Sequence, residues 1–106
     1  MSTLLIKNVK LIIDDTIIEN GAVYCKDGII VNIFTDSAET ANIGADKVYD
    51  GKNNYLAPGF IDLHIHGVWG GDVMAATIND LQKMAEGLVK NGVTSFLPTT
   101  LAAPLN

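Results

Sequence analysis

The chain has 106 residues, 48% hydrophobic and 18% charged, the balance of one small globular domain. Its net charge is −5, and its seven basic residues are scattered, so no stripe exists to neutralise a nucleic-acid backbone and nucleic-acid binding is excluded. No apolar run reaches the roughly 20 residues that span a bilayer, and no apolar core follows a basic start. No membrane partner is therefore expected, and a cytoplasmic location is. The lone Cys25 has no internal disulfide partner, which suits a reducing compartment.

The first half reads as short strands. Leu4, Leu5, Ile6, Val9, Leu11, Ile12 and Ile13 are bulky or β-branched, with turn signals at Asn8 and at Asp14-Asp15. A second group runs from Ala22 to Lys26 and a third from Ile29 to Phe34, joined by Asp27-Gly28. That dipeptide predicts a tight hairpin, because a type I′ turn needs positive φ at both central residues. Thr35–Asp46 is polar, small and weakly patterned, and reads as a loop. Val48-Tyr49 predicts one more short strand before Gly51-Lys-Asn-Asn54.

At Tyr55 the character changes. Phe60–Ile65 is a mainly apolar strand whose alternation sets Asp62, His64 and His66 on one face and Ile61, Leu63 and Ile65 on the other. An apolar outer face is what helices cover in an α/β layer. Gly67, Gly70 and Gly71 predict a loop. Thr77-Ile-Asn-Asp80 then resembles a capping box, with aspartate where glutamate is usual. Ile78, Leu81, Ala85, Leu88 and Val89 follow at helical spacing, and Asn91-Gly92 ends the helix. Met74, Met84 and the helix aliphatics read as core. Val93–Leu97 is the next strand, stopped by Pro98. Strand, helix and strand make one βαβ unit with parallel strands.

His64 and His66 are the candidate metal ligands. Two residues apart on a strand, they project from one face with Cα atoms about 6.5–7 Å apart. From there each can place a nitrogen about 2.0–2.1 Å from one ion. Neutral imidazole is a good ligand for zinc, iron and similar divalent metals. The competing reading is a pair of partly buried polar residues on a strand. The position argues for ligation: these are the chain's two histidines, and they stand where an apolar strand meets a glycine loop. Parallel folds place their chemistry at that end. A hydrolytic metal usually takes three or more protein ligands and an open position, so the pair is part of a site.

The neighbours admit two readings each. Asp62 shares the histidines' face one layer deeper, where a structural hydrogen bond is favoured over ligation. Asp72 reads as a turn residue, with support of the ligands from outside the first shell as the alternative. Trp69 is loop packing or a substrate platform. Thr99 and Thr100, just past the second strand, either line the cavity with their hydroxyls or are exposed strand-end residues. The glycines match neither a dinucleotide nor a P-loop fingerprint.

Pro58-Gly-Phe-Ile-Asp-Leu-His-Ile-His-Gly67 resembles the first barrel strand of the amidohydrolase superfamily. The preceding Val-Tyr-Asp-Gly run is similar to the end of that superfamily's small β-domain. Two further stretches, His66-Gly-Val-Trp-Gly-Gly-Asp-Val-Met74 and Asn91-Gly-Val-Thr-Ser-Phe-Leu-Pro-Thr-Thr100, resemble the N-acetylglucosamine-6-phosphate deacetylases. The resemblance extends over the whole chain but only the first quarter to third of that family's length. It implies an α/β architecture: a small β-sandwich-like domain (1–54), then the first βαβ unit of a metal-dependent TIM-type barrel (55–106).

The resemblance also implies an activity, deacetylation of N-acetylglucosamine 6-phosphate to glucosamine 6-phosphate and acetate in amino sugar catabolism. It implies a divalent metal, zinc or iron foremost, an amino sugar phosphate as small-molecule partner, and a homodimer. Further metal ligands, the catalytic aspartate and the phosphate-binding residues lie in parts of the family that this chain does not match. The 106 residues are too few to close a parallel barrel, which takes roughly 200 or more. No catalytic residue is therefore expected here, and the chain alone is expected to be inactive. Ala75 departs from the family, where an acidic residue often follows the methionine. Other readings are a cyclic-amide hydrolase of the dihydroorotase or hydantoinase kind, or a non-catalytic β-module.

Overall fold

A computed structural model describes residues 1–104. Strand β1 (Thr3–Ile13) folds back on β2 (Thr16–Lys26), antiparallel from Ile13↔Thr16 to Thr3↔Lys26. Asn8 does not break β1. It adopts φ 55° inside the strand, and the register slips between Ile6 and Val9. The turn signal is realised as a β-bulge, because the backbone N–H of Asn8 donates to Ser37 Oγ (2.8 Å) and its side-chain amide to Asp50 Oδ1 (3.1 Å).

Strand β2 begins at Thr16, earlier than the apolar run from Ala22 suggests. Glu19-Asn20-Gly21 masks the continuity in sequence, while in space Gly21 makes room for Leu11. A Cβ built on Gly21 would lie 2.7 Å from Leu11 Cγ. At the next turn Asp27 and Gly28 take φ 50° and 81°, with Lys26 paired to Ile29, as a type I′ hairpin requires. Strand β3 (Ile29–Phe34) completes the antiparallel part.

The segment expected as a loop, Thr35–Asp46, contains a 3₁₀ turn at Ser37–Thr40. Asp36 accepts from the Ala38 N–H (2.9 Å), and Glu39 Oε1 accepts from the Asp36 N–H (3.2 Å). This reciprocal cap overrides the low apolar content. Ser37 and Thr40 are buried, with hydroxyls donating to the Gly21 and Ser37 carbonyls.

Strands β4 (Lys47–Asp50) and β5 (Tyr55–Leu56) both pair parallel with β1, on either side of its bulge. The link between them stays bonded to β1: Gly51 N–H to Lys7 O, Asn53 N–H to Asn8 O, and Lys10 N–H to Asn54 O. The Asp50 carboxylate is held below the usual range, first by the Lys52 N–H and then by the Asn8 amide. The small β-domain is thus one mixed sheet, ordered β3-β2-β1-β4 with β5 also on β1. Its core is Leu5, Val9, Leu11, Ala22 and Val23.

The chain divides into two compact units, Met1–Pro58 and the residues from Gly59 onward. Tyr55 and Leu56 lie in the first because they still pair with β1. In the second, β6 (Phe60–Ile65) pairs parallel with β9 (Val93–Pro98). The glycine segment expected as a loop forms a small hairpin, β7 (Gly67–Val68) with β8 (Gly71–Asp72), turning at Trp69 and Gly70 with φ 57° and 78°. A 3₁₀ turn (Val73–Ala75) and helix α1 (Ile78–Val89) follow.

Helix α1 starts at Thr77, whose hydroxyl oxygen accepts from the Asp80 N–H (3.1 Å). The shorter aspartate does not close the box onto the Thr77 backbone; its carboxylate takes the Thr77 hydroxyl and, at 3.4 Å, the Asp72 N–H. The Thr77 hydroxyl is the main reason that the Asp80 carboxylate is held below the ordinary range, with the Asp72 N–H adding to it. A lowered folded value means that the charged form favours the native cap. The contribution is complete above the free aspartate range, near pH 4, and disappears as pH falls through the folded value. An NMR titration is expected to place the Asp80 midpoint below that of free aspartate; a midpoint at or above it rejects the cap.

The apolar face of β6 is not covered as expected. Ile61 and Leu63 are 65% and 71% exposed, and α1 packs instead on β7, β8 and β9. Met84, fully buried, anchors the helix there together with Leu88 and Gly87. Met74 is not core either: it is 41% exposed, and its sulfur accepts from the Leu101 N–H (3.2 Å).

Candidate metal centre

His64 is the fifth residue of β6, and His66 stands immediately beyond its last residue, Ile65. The carboxyl ends of β6 and β9 are held level by Ile65↔Pro98 pairing and by the Thr99 N–H on the Ile65 carbonyl (2.8 Å). Both histidines therefore sit at the carboxyl mouth of two parallel strands, where α/β sheets place ligands.

Their side chains converge. His64 Nε2 and His66 Nε2 are 3.0 Å apart, with the rings edge to face at 81° and centroids 4.8 Å apart. Adjacent ligands around an ion with bonds of about 2.0–2.1 Å lie roughly 2.9–3.3 Å apart, so this spacing, which is also that of a hydrogen bond, is compatible with both nitrogens on one cation. Two imidazoles of this kind suit a borderline metal such as zinc or iron(II). The donor set fits a divalent ion but does not enclose one. Among the described residues no cluster of three or more His, Cys, Asp or Glu side chains is assembled.

The second nitrogen of His66 is also engaged. Its Nδ1 lies 2.9 Å from the backbone carbonyl oxygen of Thr99. Such a contact on the far side of the ring orients a ligating imidazole. The Thr99 hydroxyl instead donates to the Leu97 carbonyl (3.1 Å), and the main chain makes the contact with His66. No side-chain pattern signals a main-chain acceptor. Thr100 is exposed.

The remaining candidates resolve into structural roles. Asp62 Oδ1 accepts from the His64 N–H (3.0 Å), steadying the strand beneath the ligands. Asp72 accepts from the Met74 N–H (2.8 Å) as the cap of the 3₁₀ turn, and the Val73 N–H reaches the His66 carbonyl (2.9 Å). This turn and its cap hold the chain directly after the histidines.

Trp69 is 62% exposed, yet its ring edge fills the space over Gly87 where a Cβ would otherwise stand. It packs the hairpin onto α1. Gly71 is tighter still, since a Cβ there would meet the Asp80 carbonyl and lie 2.8 Å from Met84 Cγ. Gly71→Ala is expected to cost about 1–3 kcal/mol through overpacking of the hairpin against α1. Urea unfolding monitored at Trp69 measures it, and an unchanged midpoint would show that the helix yields freely.

No family model matches the chain. Individual relatives do. It is 35% identical over 99 residues to the N-acetylglucosamine-6-phosphate deacetylase of Bacillus subtilis, a match covering 93% of this chain and 24% of that one. It is 47% identical over 51 residues to the N-acetylgalactosamine-6-phosphate deacetylase of Escherichia coli O157:H7, covering 48% and 14%. Among solved structures it superposes on N-acetylglucosamine-6-phosphate deacetylase from Pasteurella multocida with a TM-score of 0.84 at 25% identity, covering 96% of this chain and 26% of that one. An L-hydantoinase from Arthrobacter aurescens shares the fold, with a TM-score of 0.62 at 21% identity over 92% of this chain and 20% of that one. The chain spans about a quarter of the length of the curated full-coverage relatives it matches.

Proposed function

We propose, from the kinship of this chain with the N-acetylglucosamine-6-phosphate deacetylases, that it supplies the first two metal ligands of a hydrolase acting on an N-acetylated amino sugar phosphate. The observation that carries the reading is the 3.0 Å approach of His64 Nε2 to His66 Nε2 at the carboxyl end of β6. The chemistry a divalent ion supplies when bound at such nitrogens is polarisation of an amide carbonyl and acidification of water. Zinc or iron(II) suits the imidazole donors.

The contribution of these residues is positional. Asp62 holds the His64 backbone, the Thr99 carbonyl orients the His66 ring, and the Asp72-capped turn fixes the chain beyond His66. None is placed to move a proton on a substrate, and the general acid–base group and phosphate contacts belong to parts of such enzymes that this chain does not match. Taken alone, these 106 residues should be inactive. We take the natural protein to be cytoplasmic and a homodimer, as its amino sugar phosphate substrate and its kinship imply. Among the described residues no helix is long and apolar enough to cross a membrane.

The test is acetate release from N-acetylglucosamine 6-phosphate by the natural protein, before and after dialysis against a strong chelator. Activity should be lost on chelation and return with zinc or iron(II). Undiminished turnover without metal would reject the role of the histidines. A cyclic-amide hydrolase is the second reading, supported by the fold shared with the hydantoinase. Turnover of dihydropyrimidines with none of the acetylated sugar phosphate would establish it.

A further inference from the structure

We propose that Asn91 is a site of spontaneous covalent modification: its side-chain amide closes on the Gly92 nitrogen, loses ammonia and opens to aspartate or isoaspartate, the latter untying the end of α1 from the start of β6. The proposal stands apart from the histidine pair and from the reaction read for the natural protein.

Asparagine cyclises most readily when the next residue has no side chain to obstruct the approach of its backbone nitrogen to the amide carbon. Two asparagines meet that condition, Asn20 before Gly21 and Asn91 before Gly92. Bulky followers obstruct others, as Val9 does after Asn8 and Ile33 after Asn32. The two glycine pairs sit in opposite surroundings. Gly21 is buried in β2, paired with Val9 of β1, and its carbonyl accepts from the Ser37 hydroxyl (2.7 Å). The Asn20 amide donates to Asp36 Oδ1 (3.0 Å). Turning the Gly21 nitrogen towards the Asn20 side chain therefore requires the sheet to open.

Asn91 and Gly92 are exposed, just beyond the last residues of α1. The Gly92 N–H donates to the Val89 carbonyl (3.1 Å), and the Asn91 amide to the Gly87 carbonyl (3.2 Å). Both bonds belong to the end of the helix, which frays without the rest of the fold opening. Base in the solvent then takes the Gly92 N–H proton, and the nitrogen bonds to Asn91 Cγ. The Cγ–Nδ2 bond breaks and ammonia leaves, so a five-membered imide joins the two residues. Water cleaves one of its two C–N bonds. Cleavage at Cγ gives aspartate; cleavage at the main-chain carbonyl gives isoaspartate, whose backbone runs through Cβ and Cγ.

The isoaspartate route lengthens the main chain by one carbon immediately before Gly92. The Gly92 carbonyl accepts from the Phe60 N–H (2.8 Å), and Gly92 holds φ 80° to aim it. The added carbon displaces that carbonyl from the first residue of β6. Either product also removes the donor from the Gly87 carbonyl and sets a negative charge at the carboxyl end of α1, where the helix dipole opposes it.

The experiment incubates the chain in mildly alkaline buffer, folded and in urea, and follows its peptides by mass spectrometry. In urea both Asn-Gly pairs are expected to convert. In the folded chain Asn91 should convert while Asn20 lags by at least about a hundredfold, because Asn20 waits for global opening. Asn91→Gln, whose longer side chain closes the ring poorly, should abolish conversion at residue 91. Hydrogen exchange then compares the isoaspartate form, isolated by chromatography, with Asn91→Asp, and the Phe60 amide should exchange faster in the isoaspartate form. An Asn91 that outlasts Asn20 in the folded chain, or stays intact there while the chain in urea reacts, overturns the site. A Phe60 amide that exchanges alike in the two forms overturns the untying.

Discussion

Replacing His66 with alanine in the natural protein is expected to remove together the metal and the acetate release proposed for it. One of the two convergent nitrogens disappears, and the remaining His64 offers a single donor from an exposed ring. Outer-shell partners of metal ligands cost 10–100-fold when removed, as an order of magnitude, and a ligand itself costs more. The Lewis-acid contribution of a hydrolytic metal is several kcal/mol, so turnover should fall by at least about a hundredfold. Elemental analysis of the purified variant, read beside its acetate release, checks both parts. Full metal occupancy with lost activity would move His66 from ligation to substrate contact. His64→Ala should behave alike.

The second large effect concerns packing. Met84→Ala empties the fully buried centre of the contact between α1 and the β7–β8 hairpin. Truncating a buried methionine typically costs about 2–5 kcal/mol, the higher part of that range where the site cannot collapse. Collapse is restricted here, since Gly71 already abuts the Asp80 carbonyl and Trp69 already covers Gly87. The cost should therefore lie above the middle of the range. Chemical denaturation followed by Trp69 fluorescence would measure it, and a loss below about 1 kcal/mol would show that the hairpin is not held by this helix. Met84→Leu, close in volume, should recover most of the stability.

Legibility in the sequence followed how local each signal was. Asp27-Gly28 announced its hairpin because a type I′ turn depends on two adjacent residues. Helix α1 was visible from its Thr77 cap, apolar spacing and Asn91-Gly92 stop, whose Asn91 amide donates to the Gly87 carbonyl (3.2 Å). That His64 and His66 converge was readable from their two-residue spacing on one strand. Asn8 was misread as a turn because its bulge depends on Ser37 and Asp50, far along the chain. The 3₁₀ turn at Ser37–Thr40 was overlooked although Asp36-Ser-Ala-Glu39 has capping-box spacing; low hydrophobicity hid it. The Thr99 contact was invisible in principle, since every residue carries the same carbonyl.

The placement of β1 also bears on how the first unit is made. Its antiparallel partner follows after a two-residue turn, so the β1–β2 and β2–β3 hairpins close on a timescale of about 1–10 μs. Its parallel partners come much later: Leu4 waits for Lys47, and Leu11 for Leu56. Loop-closure entropy must be met before those contacts return anything, which makes their docking the slow step. During translation, at about 5–20 residues per second, one edge of β1 therefore stays bare for seconds after its hairpin has formed. That interval exposes a strand edge to neighbouring nascent chains, and it closes only when Leu56 leaves the ribosome.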